Sequence, residues 1–380
     1  MQESRVFHSS TIATKHSPEA QRLRDKKVKD LMQNNKRRLV EVPYTASLAH
    51  TMNALVANRV VAVPVAAPPG HWIGAGGSMI MEADKQTGTV RKHYIGMVTM
   101  LDILAHIADA NDDEMDGGDG SDLDRKMSVE VSAIIGHCLE GLSLWTLNPN
   151  TSLLDCMEVF SKGIHRALVP LDSHMDNVSG VELVESASTY QMVTQMDVLR
   201  FLKERDSEIQ SITSTSVKDL GAITENNVFA ISHRTKVIDA IKSMRIALLN
   251  AVPIVRATDI REEDHKQLIN GRGREVLGTF SSTDLRGCHL STLKSWLPLS
   301  ALEFTETVWT SPLFAEQSST GGNPRREIVS CEAESSLAEV IDKAVTHHVH
   351  RVWVVDSQGL LVGLVSLTDI VRVLRLSLMS

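Results

Sequence analysis

The chain has 380 residues, 42% of them hydrophobic and 23% charged, with 47 acidic against 39 basic side chains and a formal charge of −8. That length allows several domains with sizeable cores, and the acidic balance excludes a general attraction to nucleic acid or an anionic membrane. No apolar run nears the roughly 18–20 residues that span a bilayer, and Cys138, Cys156, Cys288 and Cys331 form no Cys-x-x-Cys pair, so neither a disulfide framework nor a zinc site is expected.

Residues 1–25 read as a flexible N-terminal segment. Lacking the apolar stretch of a secretory signal, it points to the cytoplasm and/or the nucleus; a transit peptide is the weaker reading of its hydroxyl-rich composition. Lys26 to Met32 then forms a mixed charged and apolar lead-in, which Ser216-Val217-Lys218-Asp219-Leu220 repeats. Lys36-Arg37-Arg38 reads as a solvated basic turn, with a nuclear signal or a phosphate contact as the alternative.

A fuller unit follows. Ser47 opens an amphipathic helix with Leu48, Met52, Leu55 and Val56 on one face. A Val-rich strand runs from Val60 to Val65, and a second strand at Tyr94–Val98 ends in the tetrad Thr99-Met-Leu-Asp102, where a helical period begins. Between the strands, residues 68–92 form a Gly-rich insertion, expected to be a surface loop because Met79 stands where a dinucleotide fingerprint needs glycine. Residues 109–124 are acidic. As a calcium loop they lack the bidentate Glu, which Leu123 replaces, so a solvated tether is expected.

The same order recurs three times. Ser152, Leu153, Met157 and Phe160 lead to a strand at Ala167–Leu171 and, after Tyr190, to the tetrad Thr194-Gln-Met-Asp197. Thr235, Val237, Ile241 and Met244 lead to Ala251–Val255 and then to Ser281-Ser-Thr-Asp284, where Gly287 interrupts the following helix. Ser336, Leu337, Ile341 and Val345 lead to Val352–Val355, to Leu361–Ser366 and to Ser366-Leu-Thr-Asp369. Polar insertions at 172–189, 258–275 and 310–326 vary in length while the apolar elements persist. A repeat architecture follows.

This order, with a Ser/Thr-x-x-Asp tetrad at the end of each unit, resembles the CBS domain, a βαββα module that works in pairs. Four in one chain resemble the gamma regulatory subunit of the AMP-activated and sucrose-non-fermenting-related protein kinases, of the plant gamma-like type. The resemblance implies an α/β fold of four CBS repeats in two tandem pairs: 26–110, 128–206, 207–293 and 294–380, with an acidic linker at 111–127. It also implies a regulatory role without catalysis, kinase catalytic (alpha) and beta subunits as partners, and AMP, ADP or ATP bound between repeats. No catalytic cofactor, nucleic acid or membrane partner is expected. The chain shows no Walker lysine, nucleophile elbow or kinase catalytic signature.

A carboxylate accepts from both hydroxyls of a ribose, and by position the resemblance gives that task to Asp102, Asp197, Asp284 and Asp369, assisted by Thr99, Thr194, Ser281 and Ser366. The alternative is that each Asp only caps its helix, where negative charge meets the dipole favourably. His165-Arg166 and His350-Arg351 open strands in the second and fourth units and match the pairs that hold phosphates in the family. The corresponding Val61-Ala62 and Asn250-Ala251 carry no charge, and Gln195-Met196 replaces a basic cluster, which halves the expected phosphate capacity. These departures support a second reading, a CBS-fold scaffold that has lost nucleotide control. A CBS segment of an enzyme or transporter is a third, for which the repeats leave no room. His347, His348 and His350 lack an acidic or Cys partner at a metal-ligand spacing, so no metal is expected.

Overall fold

A computed structural model describes residues 22–33, 38–67, 92–108, 121–136, 144–171, 189–257, 264–309 and 327–380. The N-terminal segment to residue 21, Lys36 and Arg37, the Gly-rich insertion to residue 91, most of the acidic tether, most of the 172–189 insertion and all of the 310–326 insertion lie outside these residues.

Each repeat forms one small sheet. In repeat 1, β1 (Val42–Pro43) pairs in parallel with β2 (Ala62–Ala66) across helix α1 (Leu48–Ala57), and β2 pairs antiparallel with β3 (Tyr94–Thr99), which feeds α2 (Met100–Ala108). Repeat 2 repeats this with β4 (Trp145–Thr146), α3 (Leu153–Ser161), β5 (Arg166–Pro170), β6 (Tyr190–Thr194) and α4 (Gln195–Lys203). Repeat 3 has β7 (Phe229–Ser232), α5 (Val237–Ile246), β8 (Ala251–Val255), an extra edge strand β9 (Ile269–Asn270) and β10 (Val276–Ser281), in the order β10-β8-β7-β9. Repeat 4 closes the chain with β11 (Ser330–Cys331), α6 (Leu337–Thr346), β12 (Arg351–Val355), β13 (Leu361–Ser366) and α7 (Leu367–Met379). The parallel pairings need a helical crossover, which α1, α3, α5 and α6 provide.

The expected caps are present in three of these four crossover helices. Ser47, Ser152 and Ser336 each accept from the backbone N–H three residues on, at 3.2, 3.1 and 3.2 Å. In repeat 3 the N-cap is Lys236, without a side-chain cap, and Thr235 lies buried one position earlier. Beyond Asp284 the chain makes a short 3-10 turn, Asp284–Gly287, in place of a full helix.

Consecutive repeats exchange their lead-ins. At the start of repeat 1, the Val28 N–H bonds Thr151 O at 2.9 Å and the Leu153 N–H bonds Lys26 O at 2.7 Å, so this segment abuts the capped start of α3 in repeat 2. Residues at the start of repeat 2 return the arrangement, through Val131 N to Ala46 O at 2.7 Å and Leu48 N to Val129 O at 2.9 Å. Repeats 3 and 4 do the same through Val217 with Ser335, Leu337 with Thr215, Ala301 with Thr235 and Val237 with Leu299. The two lead-ins legible in the sequence thus pack on the repeat after their own.

The sheets join the same neighbours. Tyr94 and Tyr190 meet edge-on at 5.3 Å beside Leu168 and Met192, between repeats 1 and 2. Trp353, Val228, Val255 and Leu361 pack between repeats 3 and 4. Helices then unite the pairs crosswise. One large core merges α1, α2 and α5, hence repeats 1 and 3; the other merges α3, α4, α6 and α7, hence repeats 2 and 4. Apolar faces that the sequence shows on single helices are therefore buried against helices of a distant repeat. The starts of the central strands β2, β5, β8 and β12 converge near the middle, as the contacts described below require.

Candidate functional site

Each tetrad sits at its strand-to-helix turn. In repeats 1, 2 and 4 the motif forms a reciprocal cap: the Thr99, Thr194 and Ser366 N–H groups donate to Asp102, Asp197 and Asp369 Oδ2 at 2.7, 2.9 and 3.1 Å. Thr99, Thr194 and Ser366 oxygens accept from those Asp N–H groups at 3.2, 3.2 and 3.1 Å. In repeat 3 the Ser281 N–H donates to Asp284 Oδ2 at 2.8 Å, but Ser281 Oγ pairs with Thr283. The four carboxylates then part company. Asp102 and Asp284 are buried, 0% and 1% exposed. Asp197 and Asp369 keep part of their side chains open, and the second oxygen of each faces an arginine one turn on, Arg200 or Arg372, at 3.4 Å.

The two His-Arg pairs, separate in sequence, come together. The rings of His165 and His350 lie 6.3 Å apart. Arg351 donates to Asn250 Oδ1 and, at 2.9 Å, to Ala251 O, while Asn250 Nδ2 lies 3.3 Å from His165 Nδ1. Asn250, whose place at the start of β8 shows no charge in the sequence, is thus a polar link that joins repeats 2 and 4 through repeat 3. Each of the four keeps some surface open, yet protein closes around it. Burial, reinforced by Arg351, lowers His165 to about 4; burial, reinforced by Arg166, His165, Arg351 and Arg286, lowers His350 to about 3. Burial also lowers Arg166 and Arg351 to about 10, opposed by Asp102 and Asp369 respectively. At neutral pH the cluster therefore holds charged arginines and neutral imidazoles, which suits an anion that would draw protons onto the histidines.

A cleft of about 460 Å³ opens from this cluster between repeats 1 and 2. Its wall includes Val60, Val61 and Ala62 at the start of β2, Thr194, Gln195 and Asp197 at the start of α4, and His165, Arg166 and His350. Among the described residues, Arg38, Arg59, Arg166, Arg200 and Arg286 line it against Asp197 and Glu204, so its field favours an anion. The size is that of an ordinary small-molecule site. Among the tetrads, the second contributes both Thr194 and Asp197 to this cleft. Thr99 faces a neighbouring cavity of about 40 Å³ together with Arg166 and Asn250.

Repeats 1 and 3 lack a cation at the strand start, but Arg59 and Arg286 bring one to the cleft from elsewhere in those repeats. Arg286 follows the third tetrad by two residues, inside the turn that Gly287 ends, a position at which no periodicity marks a functional residue. Gln195, in place of a basic residue, turns inward and donates to Phe160 O and Thr368 Oγ1, both at 2.9 Å, tying repeat 2 to repeat 4. His347 and His348 occupy the turn after α6, and among the described residues no group of three or more His, Cys, Asp or Glu is placed to hold a metal ion. Nor, among those residues, is any helix long and apolar enough to cross a membrane.

Comparison with known proteins agrees with this architecture. The CBS domain family matches residues 324–376. Over 354 residues the chain is 63% identical to the SNF1-related protein kinase regulatory subunit gamma-like PV42a of Arabidopsis thaliana, covering 92% of this chain and 95% of that one. It is 59% identical over 360 residues to PV42b of the same plant, covering 94% and 97%. In fold it is similar to the crystal structure of protein MJ1225 from Methanocaldococcus jannaschii, with a TM-score of 0.57 at 16% identity over 91% of this chain and 99% of that one. Four βαββα repeats in exchanged pairs, read with these identities across nearly the whole length, establish that the chain belongs to the SNF1-related protein kinase regulatory subunit gamma-like family.

Proposed function

We propose that this chain is the non-catalytic gamma-type subunit of a heterotrimeric Ser/Thr protein kinase, working in the cytoplasm and/or nucleus, and that it binds an adenine nucleotide in the cleft between repeats 1 and 2. The observation that carries the nucleotide reading is the meeting, in one cleft, of Asp197 with five arginines. A carboxylate at one wall suits a ribose, and guanidinium forks suit phosphate oxygens. Residues of all four repeats line this space or its inner end, so a ligand there would favour one arrangement of the repeats over others. Such a difference in affinity is what regulation of a partner requires. The kinase partner rests on the names that the plant relatives bear, and the beta-subunit partner on the family resemblance alone.

The test is calorimetric titration of the whole chain with AMP, ADP and ATP, beside Asp197→Ala and Arg286→Ala. Saturable binding, weakened about tenfold or more by either change, supports the reading. A folded protein that binds none of the three up to millimolar concentration overturns it and leaves the scaffold reading. That second reading draws on one observation: in repeats 1, 2 and 4 the tetrad hydrogen bonds already close within their own helix starts.

A further inference from the structure

The turn between the crossover helix and the central strand has the same backbone form in all four repeats. One residue there adopts the left-handed conformation: Arg59 at φ 53°, Gly163 at 89°, Leu248 at 54° and His348 at 53°. Glycine fits that conformation best, because a Cβ crowds the adjoining peptide. Only repeat 2 uses it, and repeat 2 has His165-Arg166 at the strand start. The three side chains found elsewhere project toward the spaces between repeats. His348 Nδ1 lies 3.2 Å from Arg200 Nη2, Leu248 lines the cavity of about 40 Å³ with Arg166, and Arg59 lines the large cleft with Asp197.

Arg59 is exposed, so burial does not offset the strain of a Cβ at a position that favours glycine. In repeat 1 the next residues into the strand, Val60, Val61 and Ala62, form the apolar wall of the same cleft. We infer that Arg59 is the anion-binding residue of repeat 1: it presents from the helix end the positive charge that Arg166 and Arg351 present from the strand starts of repeats 2 and 4. The inference rests on the nucleotide reading of this cleft and makes the phosphate-bearing part of the ligand, not its nucleoside, the group that Arg59 recognises. A guanidinium at the rim gives two parallel donors to one phosphate, which Lys cannot reproduce.

The experiment uses the full chain with Arg59→Gly and Arg59→Lys, titrated with AMP, ATP and adenosine. Arg59→Gly removes the charge while relaxing the backbone, so the melting temperature should hold or rise. Binding of AMP and ATP should weaken about tenfold, with Arg59→Lys between wild type and Arg59→Gly. Adenosine binding should be unchanged. If adenosine is too weak to measure, the salt dependence of ATP affinity serves instead, and should be shallower in Arg59→Gly. Equal affinity of wild type and Arg59→Gly for AMP and ATP overturns the assignment, as does an equal loss for adenosine. If Asp197→Ala weakens binding while Arg59→Gly does not, the nucleotide reading stands and the Arg59 assignment alone falls. A wild-type chain that binds neither nucleotide overturns both.

Discussion

His165 and His350, from repeats that share no direct chain connection, hold their rings 6.3 Å apart at the meeting point of the central strands. Burial disfavours the charged form of both, and Arg351 beside His165 and Arg166, Arg351 and Arg286 around His350 add to it, so each resists protonation. The pair marks where the crosswise helical cores and the exchanged lead-ins bring four repeats into one polar centre. Its charge state is accordingly a property of the assembly, and is open to measurement.

Acid should loosen the fold through these histidines. Their folded values, about 4 and about 3, lie below the ordinary 6.5. The unfolded chain therefore binds more protons once the pH drops below about 6.5, and the native state loses stability progressively from there toward pH 3. Melting temperature followed by circular dichroism from pH 8 to pH 5 should fall by several degrees in the acidic half. The double variant His165→Asn/His350→Asn should show a shallower fall. Parallel profiles for the two proteins would remove the histidines as the cause. A bound phosphate acts in the opposite sense, raising both values, so nucleotide binding near pH 6 should take up protons, seen as a buffer-dependent heat.

The tetrads, alike in sequence, should respond differently to the same change. Asp102 is fully buried, accepts from Thr99 N and Oγ1 at 2.7 and 2.5 Å, and counters the charge of Arg166. Asp102→Asn removes that countercharge and should cost about 2–3 kcal/mol, toward the lower end of the cost of breaking a buried pair. Asp197 is partly open and faces Arg200 on the surface, so Asp197→Asn should cost less than about 1 kcal/mol. Urea denaturation of both variants checks the contrast. Equal losses would mean that burial does not separate the two sites.

These differences bear on what the sequence could reveal. The four units, their caps at Ser47, Ser152 and Ser336, and the tetrads were legible because helix and strand periodicity and capping are local patterns. Asn250 and Arg286 were not, since their importance comes from residues of other repeats that meet them only after folding. Arg59 left a trace: it stands where Gly163 stands in repeat 2, a mismatch visible only once the turns are superimposed. The exchange of lead-ins was equally hidden, because a segment such as Val28–Met32 carries an apolar face without naming the repeat that receives it.

Close backbone approach predicts a sharp penalty at Gly363. A Cβ added there would lie 2.8 Å from Thr224 O and 2.8 Å from Ile223 Cγ2, beside the bridge in which Thr224 and Leu364 exchange hydrogen bonds of 2.8 and 3.0 Å. Gly363→Ala must part the segment ahead of repeat 3 from β13, and should destabilise by about 1–3 kcal/mol. Gly359, with open space around its Cβ position but φ 77°, should lose only about 1 kcal/mol on the same change. Chemical denaturation of the two variants side by side separates steric from conformational cost; a silent Gly363→Ala would contradict the packing described.

Trp353 tests the sheet-to-sheet joint between repeats 3 and 4. Its ring is 1% exposed among Val228, Val255, Val276 and Leu361, and its Nε1–H donates to Thr279 Oγ1 at 2.7 Å. Truncation to Ala would lose both packing and the bond, about 3–5 kcal/mol, and risks unfolding the chain. The sharper experiment is a double-mutant cycle with Trp353→Phe and Thr279→Val. Phe keeps an aromatic ring but has no donor, and Val keeps the branched shape without the hydroxyl. Each single change removes this bond, in one case leaving Trp353 Nε1 in the buried joint and in the other leaving Thr279 Oγ1 half-buried, so each should cost about 1–2 kcal/mol. The double variant should cost less than their sum by about 0.5–1.5 kcal/mol, the coupling expected of a direct contact. Strict additivity would show that this bond contributes nothing to the joint between the third and fourth repeats.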